Sequence, residues 1–285
     1  MSILVTGGSG QLATALAAAP GVRVIGRPAF DFEQPATIEA IFADPPGVLV
    51  NAAAWTAVDL AESQRDGAWR ANAEGPARLA ELCARHGTRL IHVSTDYVFD
   101  GAKGAPYVEI DATNPTGAYG ASKLAGEQAV MAALPGAVIL RTSWVYARGG
   151  SNFVRTMLNA AKRVPRLRVV ADQRGCPTNA DDLATAVLAV AELLAKGEIA
   201  GGIYHAAGSG ETTWHGFATA IFDTAARSGW PAPPVDPIAT EDWPTPARRP
   251  ADSRLDCAKL AALGIWLPDW QPSLARAVTA MCSVA

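Results

Sequence analysis

Short runs of apolar, often β-branched residues recur through the first half of the chain and alternate with longer segments of helical character. Apolar runs of about four to eight residues predict buried strands, and the longer segments between them predict helices. Regular alternation of strand and helix predicts a parallel sheet with helices on both faces, joined by right-handed crossovers. The predicted strands are Ile3–Thr6, Val22–Ile25, Val48–Ala54, Arg89–Thr95 and Val138–Trp144.

The second half of the chain follows this rhythm less closely. A proline-rich stretch, Pro231–Pro250, predicts a loop. We therefore predict a dinucleotide-binding domain over residues 1–148, to which 179–207 return, and a smaller, mixed substrate-binding domain over 149–178 and 208–285. The further predicted elements are helices over Pro35–Phe42, Gln64–Arg85, Asn152–Arg163, Asp181–Ala195, Leu255–Leu263 and Ser273–Met281, and strands over Leu167–Val170 and Gly202–Ala206.

Composition bounds the classes of function. The chain has 285 residues, of which 49% are hydrophobic, so a sizeable core is expected. The net charge of −3 is spread along the chain, and no basic block indicates nucleic acid or a membrane surface. No apolar run reaches the ~18 residues of a membrane span. Met1 leads directly into the first strand, which predicts no signal peptide.

The cysteines and histidines do not form a metal-binding or disulfide pattern. The four cysteines, Cys83, Cys176, Cys257 and Cys282, are far apart in the sequence, which predicts free thiols and a cytoplasmic location. The four histidines are equally scattered, with no ligand spacing among them. No metal site is therefore assigned.

A glycine-rich turn lies between the first strand and the first helix. Gly7 and Gly10 would let the backbone approach a pyrophosphate, and the helix N-terminus would supply amide donors. This placement predicts a nicotinamide dinucleotide as cofactor and an α/β, Rossmann-type doubly wound parallel sheet. A plain tight turn is the alternative.

The end of the second predicted strand bears on the choice of cofactor. An acidic residue at this point binds the ribose hydroxyls of NAD, but here the strand is followed by Arg27. A guanidinium suits the 2′-phosphate of NADP, so NADPH is predicted and NADH remains possible. A solvated loop charge is the alternative for Arg27.

Tyr119 and Lys123 are four residues apart in a predicted helix, one turn above the other on the same face. An ammonium near a phenol favours the phenolate, so the pKa of Tyr119 is expected to fall from its reference of about 10 toward working pH. Thr95, at the carboxyl end of the fourth predicted strand, is expected at the same edge of the sheet. These residues predict a general acid for a developing alkoxide.

The motifs around these residues resemble the extended short-chain dehydrogenase/reductases and, more narrowly, the dTDP-4-dehydrorhamnose reductase family. The resemblance covers nearly the whole chain, and its most specific stretches are Ser94-Thr-Asp-Tyr-Val-Phe-Asp-Gly101 and Asp172-Gln-Arg-Gly-Cys-Pro-Thr178. Two positions depart from the family pattern: Trp55 replaces a more usual Tyr or His, and Arg27 stands where some members have an acid.

The resemblance implies NADPH-dependent reduction of the 4-keto group of dTDP-4-dehydro-L-rhamnose. Tyr119 would donate the proton, Lys123 would lower its pKa and bind the nicotinamide ribose, and Thr95 would assist. The implied cofactor contacts are Gly7, Gly10, Gln11, Leu12, Arg27, Asp31, Phe32, Ala53, Ala54, Trp55 and Thr56, with Tyr119 and Lys123. The implied substrate contacts are Thr95, Asp96, Trp144 and Val58. Family members are also linked to Mg²⁺ and to homodimers, but no residue here is assigned to either.

Several alternatives remain open at the level of sequence. Trp144 is also typical of a core aromatic, and Asp31 of a helix N-cap. The stretch from Asp172 to Thr178 is also typical of a Gly-Pro turn. Arg248 and Arg249 are candidates for binding the nucleotide diphosphate or are surface charges. A nucleotide-sugar epimerase or dehydratase shares the Tyr/Lys pair, and a non-catalytic, NADP-binding subunit resembling the regulatory subunit of methionine adenosyltransferase is a further alternative.

Overall fold

The computed structural model describes residues 2–283 and shows the predicted alternation of strand and helix in the first half of the chain. All four residues of the first strand, and all four of the third, are buried, as expected for strands covered on both faces. The elements of this half are β1 (Ile3–Thr6), α1 (Gln11–Leu16), β2 (Val22–Ile25), α2 (Pro35–Ala40), β3 (Val48–Asn51), α3 (Val58–Ser63), α4 (Arg65–Trp69), α5 (Gly75–His86), β4 (Arg89–Thr95), α6 (Ala118–Ala133) and β5 (Val138–Thr142).

The second half combines longer helices with short strands. Its elements are β6 (Val145–Tyr146), α7 (Phe153–Ala161), β7 (Leu167–Val170), β8 (Arg174–Gly175), β9 (Thr178–Asn179), α8 (Ala180–Lys196), β10 (Gly202–His205), β11 (Thr212–Thr213), α9 (Trp214–Arg227), β12 (Val235–Ile238), α10 (Ala258–Ala261) and α11 (Trp270–Ser283). Short 3₁₀ turns occur at Ile41–Ala43, Asp96–Val98 and Thr240–Asp242.

Six strands form one parallel sheet in the order β10, β5, β4, β3, β1, β2. The predicted Rossmann-type α/β class is therefore confirmed. The strand order reverses at β1, which pairs with β2 on one side and β3 on the other. In open α/β sheets, the crevice at such a reversal, outside the carboxyl ends of the strands, is where ligands bind.

Apolar clusters cover both faces of this sheet, and another lies in the second half of the chain. Side chains from α1 and α8 pack on one face of the sheet, and those from α5 and the residues around α2 pack on the other. A separate cluster joins α7, α9 and α11 to the segment around Tyr146. The two-domain division stays a prediction; this cluster begins a few residues before the boundary predicted at 148.

Four local predictions were wrong. The strand predicted over Val48–Ala54 ends at Asn51. The helix predicted from Gln64 to Arg85 is interrupted by a π-helical segment at Arg70–Glu74, between α4 and α5. The strand predicted to end at Trp144 ends at Thr142, because Trp144 has a left-handed backbone with φ of 46°. The proline-rich stretch is not all loop, since β12 within it pairs with β7 in parallel.

Within residues 2–283, no helix is both long and apolar enough to cross a membrane. The same part of the chain holds no group of three or more His, Cys, Asp and Glu side chains arranged to bind a metal ion.

Candidate active site at the carboxyl edge of the sheet

The turn after β1 comes into backbone contact with the ends of both neighbouring strands. Gly7 has φ of 117°, and a Cβ on it would lie 3.0 Å from the carbonyl group of Ala52, after β3. A Cβ on Gly26, after β2, would lie 2.5 Å from the Cα of Gly8. The turn is closed by the Gly10 amide, which donates to the Gly7 carbonyl at 2.9 Å. These glycines therefore let the turn pack backbone to backbone against the ends of β2 and β3. In this fold a dinucleotide pyrophosphate binds at such a turn.

The predicted cofactor residues Arg27, Asp31 and Phe32 lie together after β2. The Arg27 side chain is 76% exposed, and its Nε is 2.9 Å from Asp31 Oδ2. Asp31 does not cap α2, whose N-cap is Gln34; instead its Oδ1 accepts from the Glu33 amide at 3.1 Å. The Asp31 carboxylate therefore binds Arg27 and the Glu33 amide within the loop after β2. The alternative that Asp31 is the N-cap of the following helix was wrong.

The loop that follows β3 is held by a residue to which the sequence gave no role. The Asn72 side chain pairs with both backbone groups of Trp55: its Oδ1 accepts from the Trp55 amide at 2.8 Å, and its Nδ2 donates to the Trp55 carbonyl at 3.1 Å. Nδ2 also donates to Ser122 Oγ, on α6, at 3.0 Å. Asn72 thereby connects the predicted cofactor loop, which includes Ala53, Ala54 and Thr56, to the helix of Tyr119.

The three residues predicted to be catalytic lie together between the end of β4 and α6. Lys123 is 2% exposed, and its Nζ donates to the Val93 carbonyl at 2.7 Å. Tyr119 is half-buried, and its ring meets that of Tyr97 edge to face, with 5.5 Å between centroids. Thr95 is buried at the end of β4, and its hydroxyl donates to Asp96 Oδ1 at 2.9 Å.

Lys123 was expected to lower the pKa of Tyr119, but in the protein by itself this pKa is raised. Burial raises the pKa of Tyr119 to about 12, and only the neighbouring Thr95 side chain opposes this shift. Burial also lowers the pKa of Lys123 to about 8, against the charge of Glu127, which raises it. Desolvation is the largest cause of the shift at both groups, so at neutral pH Tyr119 holds its proton and is competent to donate it.

Asp96 is a buried carboxyl with one unsatisfied oxygen. Burial raises its pKa to about 6, and the neighbouring Ser253 and Thr95 side chains oppose the shift. Its Oδ2 has no hydrogen-bond partner among the residues that the structure describes. An unpaired buried acceptor beside Thr95 is suited to a hydroxyl donor on a ligand.

Trp144 is held from two sides. Its ring stacks on Trp214 at the start of α9, with centroids 3.5 Å apart and an angle of 8° between the planes. On the other side lies Gly175, where a Cβ would be 2.3 Å from Trp144 Cε2. Trp144 packs against the second-half core but is itself only half-buried. The stretch from Asp172 to Thr178 is therefore more than a turn, because it leaves room for this ring.

The C-terminal loop joins the sheet domain through Arg249. Its guanidinium pairs with both carboxylate oxygens of Asp59, next to Val58 at the start of α3, with Nη2 at 2.8 Å from Oδ2. It also donates to Thr245 Oγ1 at 3.0 Å and to the Ala247 carbonyl at 2.8 Å. Arg249 therefore already pairs with Asp59 in the folded chain, and its contact with a nucleotide diphosphate stays a prediction. Arg248 is exposed.

Comparison with known proteins identifies the family of this site. A sequence profile described as the RmlD substrate binding domain matches residues 1–283. The dTDP-4-dehydrorhamnose reductase of Sinorhizobium fredii is 47% identical over 289 residues, with 99% of this chain and 98% of that protein covered. That of Burkholderia thailandensis is 43% identical, with 99% and 100% covered.

The chain belongs to the dTDP-4-dehydrorhamnose reductase family.

Solved structures of family members have the same fold. A dTDP-4-dehydrorhamnose reductase from Clostridium acetobutylicum superposes with a TM-score of 0.90 at 36% identity, covering 99% of both chains. One from Bacillus anthracis, solved in complex with NADP, also has a TM-score of 0.90, at 33% identity, covering 97% of this chain and 98% of that one. A UDP-glucose 4-epimerase from Thermus thermophilus is 22% identical at a TM-score of 0.81, covering all of both chains, which shows a shared fold only.

Asn72 and Trp214 are the two residues of the site that sequence reasoning missed. Once the chain is compared with the reductase family, Asn72 can be found as a polar residue on an otherwise apolar helix face near the catalytic helix. Trp214 had no local signal, because its stacking on Trp144 depends on the packing of two distant segments.

Proposed function

We propose that this protein reduces the 4-keto group of dTDP-4-dehydro-L-rhamnose to give dTDP-L-rhamnose, with NADPH as cofactor. The observation that carries the proposal is the grouping of Thr95, Tyr119 and Lys123 between the end of β4 and α6, in a chain of this family. The membership of the reductase family supports an oxidoreductase over an epimerase or dehydratase, which the fold alone would equally accommodate.

The geometry around the turn fits a dinucleotide. Gly7, Gly8 and Gly26 let the turn after β1 pack backbone to backbone against the neighbouring strand ends, and in this fold a pyrophosphate binds at such a turn. Gln11 and Leu12 open the following helix, and the exposed Arg27 would face the ribose phosphate of NADPH. When bound, this cofactor supplies the hydride.

Tyr119 is proposed as the proton donor to the reacting oxygen. Its pKa of about 12 keeps it protonated at working pH, and a proton delivered as charge develops lowers the barrier. Thr95 would hydrogen-bond the same oxygen, and a donor placed in advance stabilises the alkoxide-like transition state. Lys123 is proposed to bind the nicotinamide ribose.

The sugar is proposed to lie between Asp96 and Trp144, with Val58 at the margin of the pocket. The unsatisfied Oδ2 of Asp96 would accept from a sugar hydroxyl. The half-buried ring of Trp144 would supply a flat apolar wall. Among nucleotides, dTDP is proposed from the names of the relatives.

The decisive experiment mixes purified protein with NADPH and dTDP-4-dehydro-L-rhamnose and follows NADPH absorbance. The expected result is stoichiometric oxidation of NADPH with formation of dTDP-L-rhamnose, identified by mass and NMR. An epimerase would carry tightly bound NAD and consume no NADPH, and a non-catalytic subunit would bind NADPH without turnover. Either result would exclude the reductase.

A parallel series with NADH tests Arg27, because equal efficiency with both cofactors would contradict its role.

The remaining expectations extend the same proposal. A cytoplasmic location agrees with the free cysteines, of which Cys83, Cys176 and Cys282 are buried. A homodimer and a dependence on Mg²⁺ rest on the family resemblance alone. Light scattering of the purified protein and assays after dialysis against a chelator test these two expectations.

A further inference from the structure

The last three residues of β4 are each linked to α6. The Val93 carbonyl accepts from Lys123 Nζ at 2.7 Å, and the Ser94 hydroxyl donates to Glu127 Oε1 at 2.5 Å. Thr95 lies beside Tyr119, whose pKa it lowers. Tyr119, Lys123 and Glu127 are spaced by four residues and so share one face of the helix. Glu127 has no role in the proposed chemistry, yet its carboxylate makes the link between Ser94 and α6.

Glu127 also connects α6 to the next strand. Arg141 on β5 is directly opposite Ser94 in the sheet, and its guanidinium binds the Glu127 carboxylate with two bonds, Nε to Oε1 at 2.9 Å and Nη2 to Oε2 at 2.7 Å. Both side chains are 2% exposed. A paired arginine and carboxylate have a fixed geometry, so this contact locates α6 along and across two strands.

The same carboxylate favours the charged form of Lys123. Burial lowers the pKa of Lys123, and Glu127 is the group that raises it. His92 on β4 faces Lys123 too, but burial holds its pKa well below 6.5, so it is neutral. The other titratable groups around α6 are Tyr119 on the helix itself, Asp96 after β4, Arg141 on β5 and Glu62, which accepts from the Ala118 amide at the start of α6.

We propose that Glu127 is a positioning residue for the reduction. Its bonds to Ser94 and Arg141 set the register of α6 against β4, and its charge keeps the Lys123 side chain in the ammonium form that binds the cofactor ribose. This inference rests on the proposed function. It adds to it a group that touches neither substrate nor cofactor and acts through Lys123 and the backbone of the catalytic helix.

Glu127→Gln separates charge from shape, because glutamine occupies nearly the same volume and keeps one acceptor oxygen. Loss of the negative charge favours neutral lysine, so the alkaline limb of the pH profile of kcat is expected to move to lower pH by about one unit. We expect kcat at neutral pH to fall roughly tenfold to a hundredfold, as for a small displacement of a catalytic group. The KM for the keto sugar should change less than about threefold, because ground-state substrate contacts are intact.

Three further variants separate positioning from general loss of structure. Glu127→Gln with Arg141→Gln removes both buried charges, which protects folding if the single variant unfolds; its kcat should stay low, and its alkaline limb should lie closer to the wild-type pH than that of Glu127→Gln, because the lost guanidinium disfavoured the ammonium form of Lys123. Ser94→Ala should lower kcat several-fold with the limb at its wild-type pH. Asp182→Asn is the matched control, since Asp182 also accepts from a serine hydroxyl and an arginine, Ser273 and Arg276, and should leave both quantities unchanged.

A wild-type alkaline limb in Glu127→Gln would overturn the charge role, and wild-type kcat in Ser94→Ala or in the double variant would overturn the register role. The pH dependence of NADPH binding, measured by fluorescence without substrate, gives an independent reading: its alkaline midpoint should also move to lower pH in Glu127→Gln. If wild-type protein shows no turnover, the proposed function fails. If wild-type protein is active and the variants match it, this inference fails and the proposed function stands.

Discussion

At the scale of single residues, desolvation decides the state of the catalytic groups. The spacing of Tyr119 and Lys123 was visible in the sequence, but the direction of the tyrosine shift was not, because burial depends on the whole fold. Lys123, with a pKa of about 8, is the group that titrates near working pH, whereas Tyr119, with a pKa of about 12, does not. The alkaline loss of activity is therefore expected to report Lys123.

Tyr119→Phe removes the proposed proton donor and little else. We expect kcat to fall roughly 10²- to 10⁴-fold, the usual contribution of a general acid, while the Kd for NADPH stays within a factor of about two. Steady-state kinetics and fluorescence titration measure the two quantities. Tyr146→Phe is the matched control, because the Tyr146 hydroxyl is buried without a partner among the described residues and its ring packs on Phe217. Near wild-type turnover in Tyr119→Phe would remove Tyr119 from its role.

Asp96→Asn tests the cost of burying the Asp96 carboxyl. Since burial raises its pKa from 3.8 to about 6, the folded state binds the proton more tightly than the unfolded state does. Its contribution to stability is present below pH ~4 and is lost as pH rises through ~6. Relative to the asparagine variant, wild-type protein should lose up to about 3 kcal/mol of unfolding free energy over this range. Urea denaturation at several pH values measures this difference in unfolding free energy. A difference that does not change with pH would refute the raised pKa of Asp96.

At the scale of elements, the ends of strands and the close contacts between them shape the site. The six strands of the parallel sheet and most helices follow from apolar periodicity, which is a local property. The π segment at Arg70–Glu74, the left-handed Trp144 and the pairing of β12 with β7 do not. Each of these is imposed by packing between segments far apart in the chain, and no local pattern carries that information.

Gly175→Ala tests whether the short strand β8 leaves room for Trp144. The added methyl group would overlap the indole ring, so we expect destabilisation of about 1–3 kcal/mol and a displaced ring. If Trp144 forms the sugar wall, KM for the keto sugar should rise more than KM for NADPH. Gly136→Ala is the control, because nothing lies within 4 Å of a Cβ built there. Equal stability of the two variants, measured by thermal unfolding, would show that the ring moves without cost.

At the scale of the whole molecule, two apolar assemblies are joined by polar contacts between distant parts of the sequence. The contact between Arg249 and Asp59 joins residues 190 positions apart. The pKa of the Asp59 carboxyl is lowered, chiefly because Arg249 hydrogen-bonds to it. Sequence reasoning recognised the family and the sheet, but it left Arg249 open between a nucleotide diphosphate and a surface charge, because only the folded chain shows which acid it meets.

Asp59→Asn measures what this connection contributes. Exposure of Asp59 limits the effect, so we expect a loss of about 1 kcal/mol in unfolding free energy at neutral pH. The matched control is Asp236→Asn, which breaks the pair with Arg166. Both aspartates are 42% exposed, but Arg249 is 21% exposed and Arg166 is 59% exposed. The control should therefore change stability by less than about 0.5 kcal/mol. An equal loss in both variants, measured in urea, would contradict the joining role of Arg249.

The π-helical segment at Arg70–Glu74 also changes the register between the helices on either side of it. A π turn holds one residue more than the α turn it replaces, so α5 is rotated by about 100° relative to a continuation of α4. Its widened backbone needs Gly126 on α6, where a Cβ would lie 2.0 Å from the Asn72 carbonyl oxygen. Deleting a single residue from Arg70–Glu74 would restore a regular helix in which Asn72 and the apolar face of α5 could no longer both face inward. The length of this segment, as much as its composition, is under constraint.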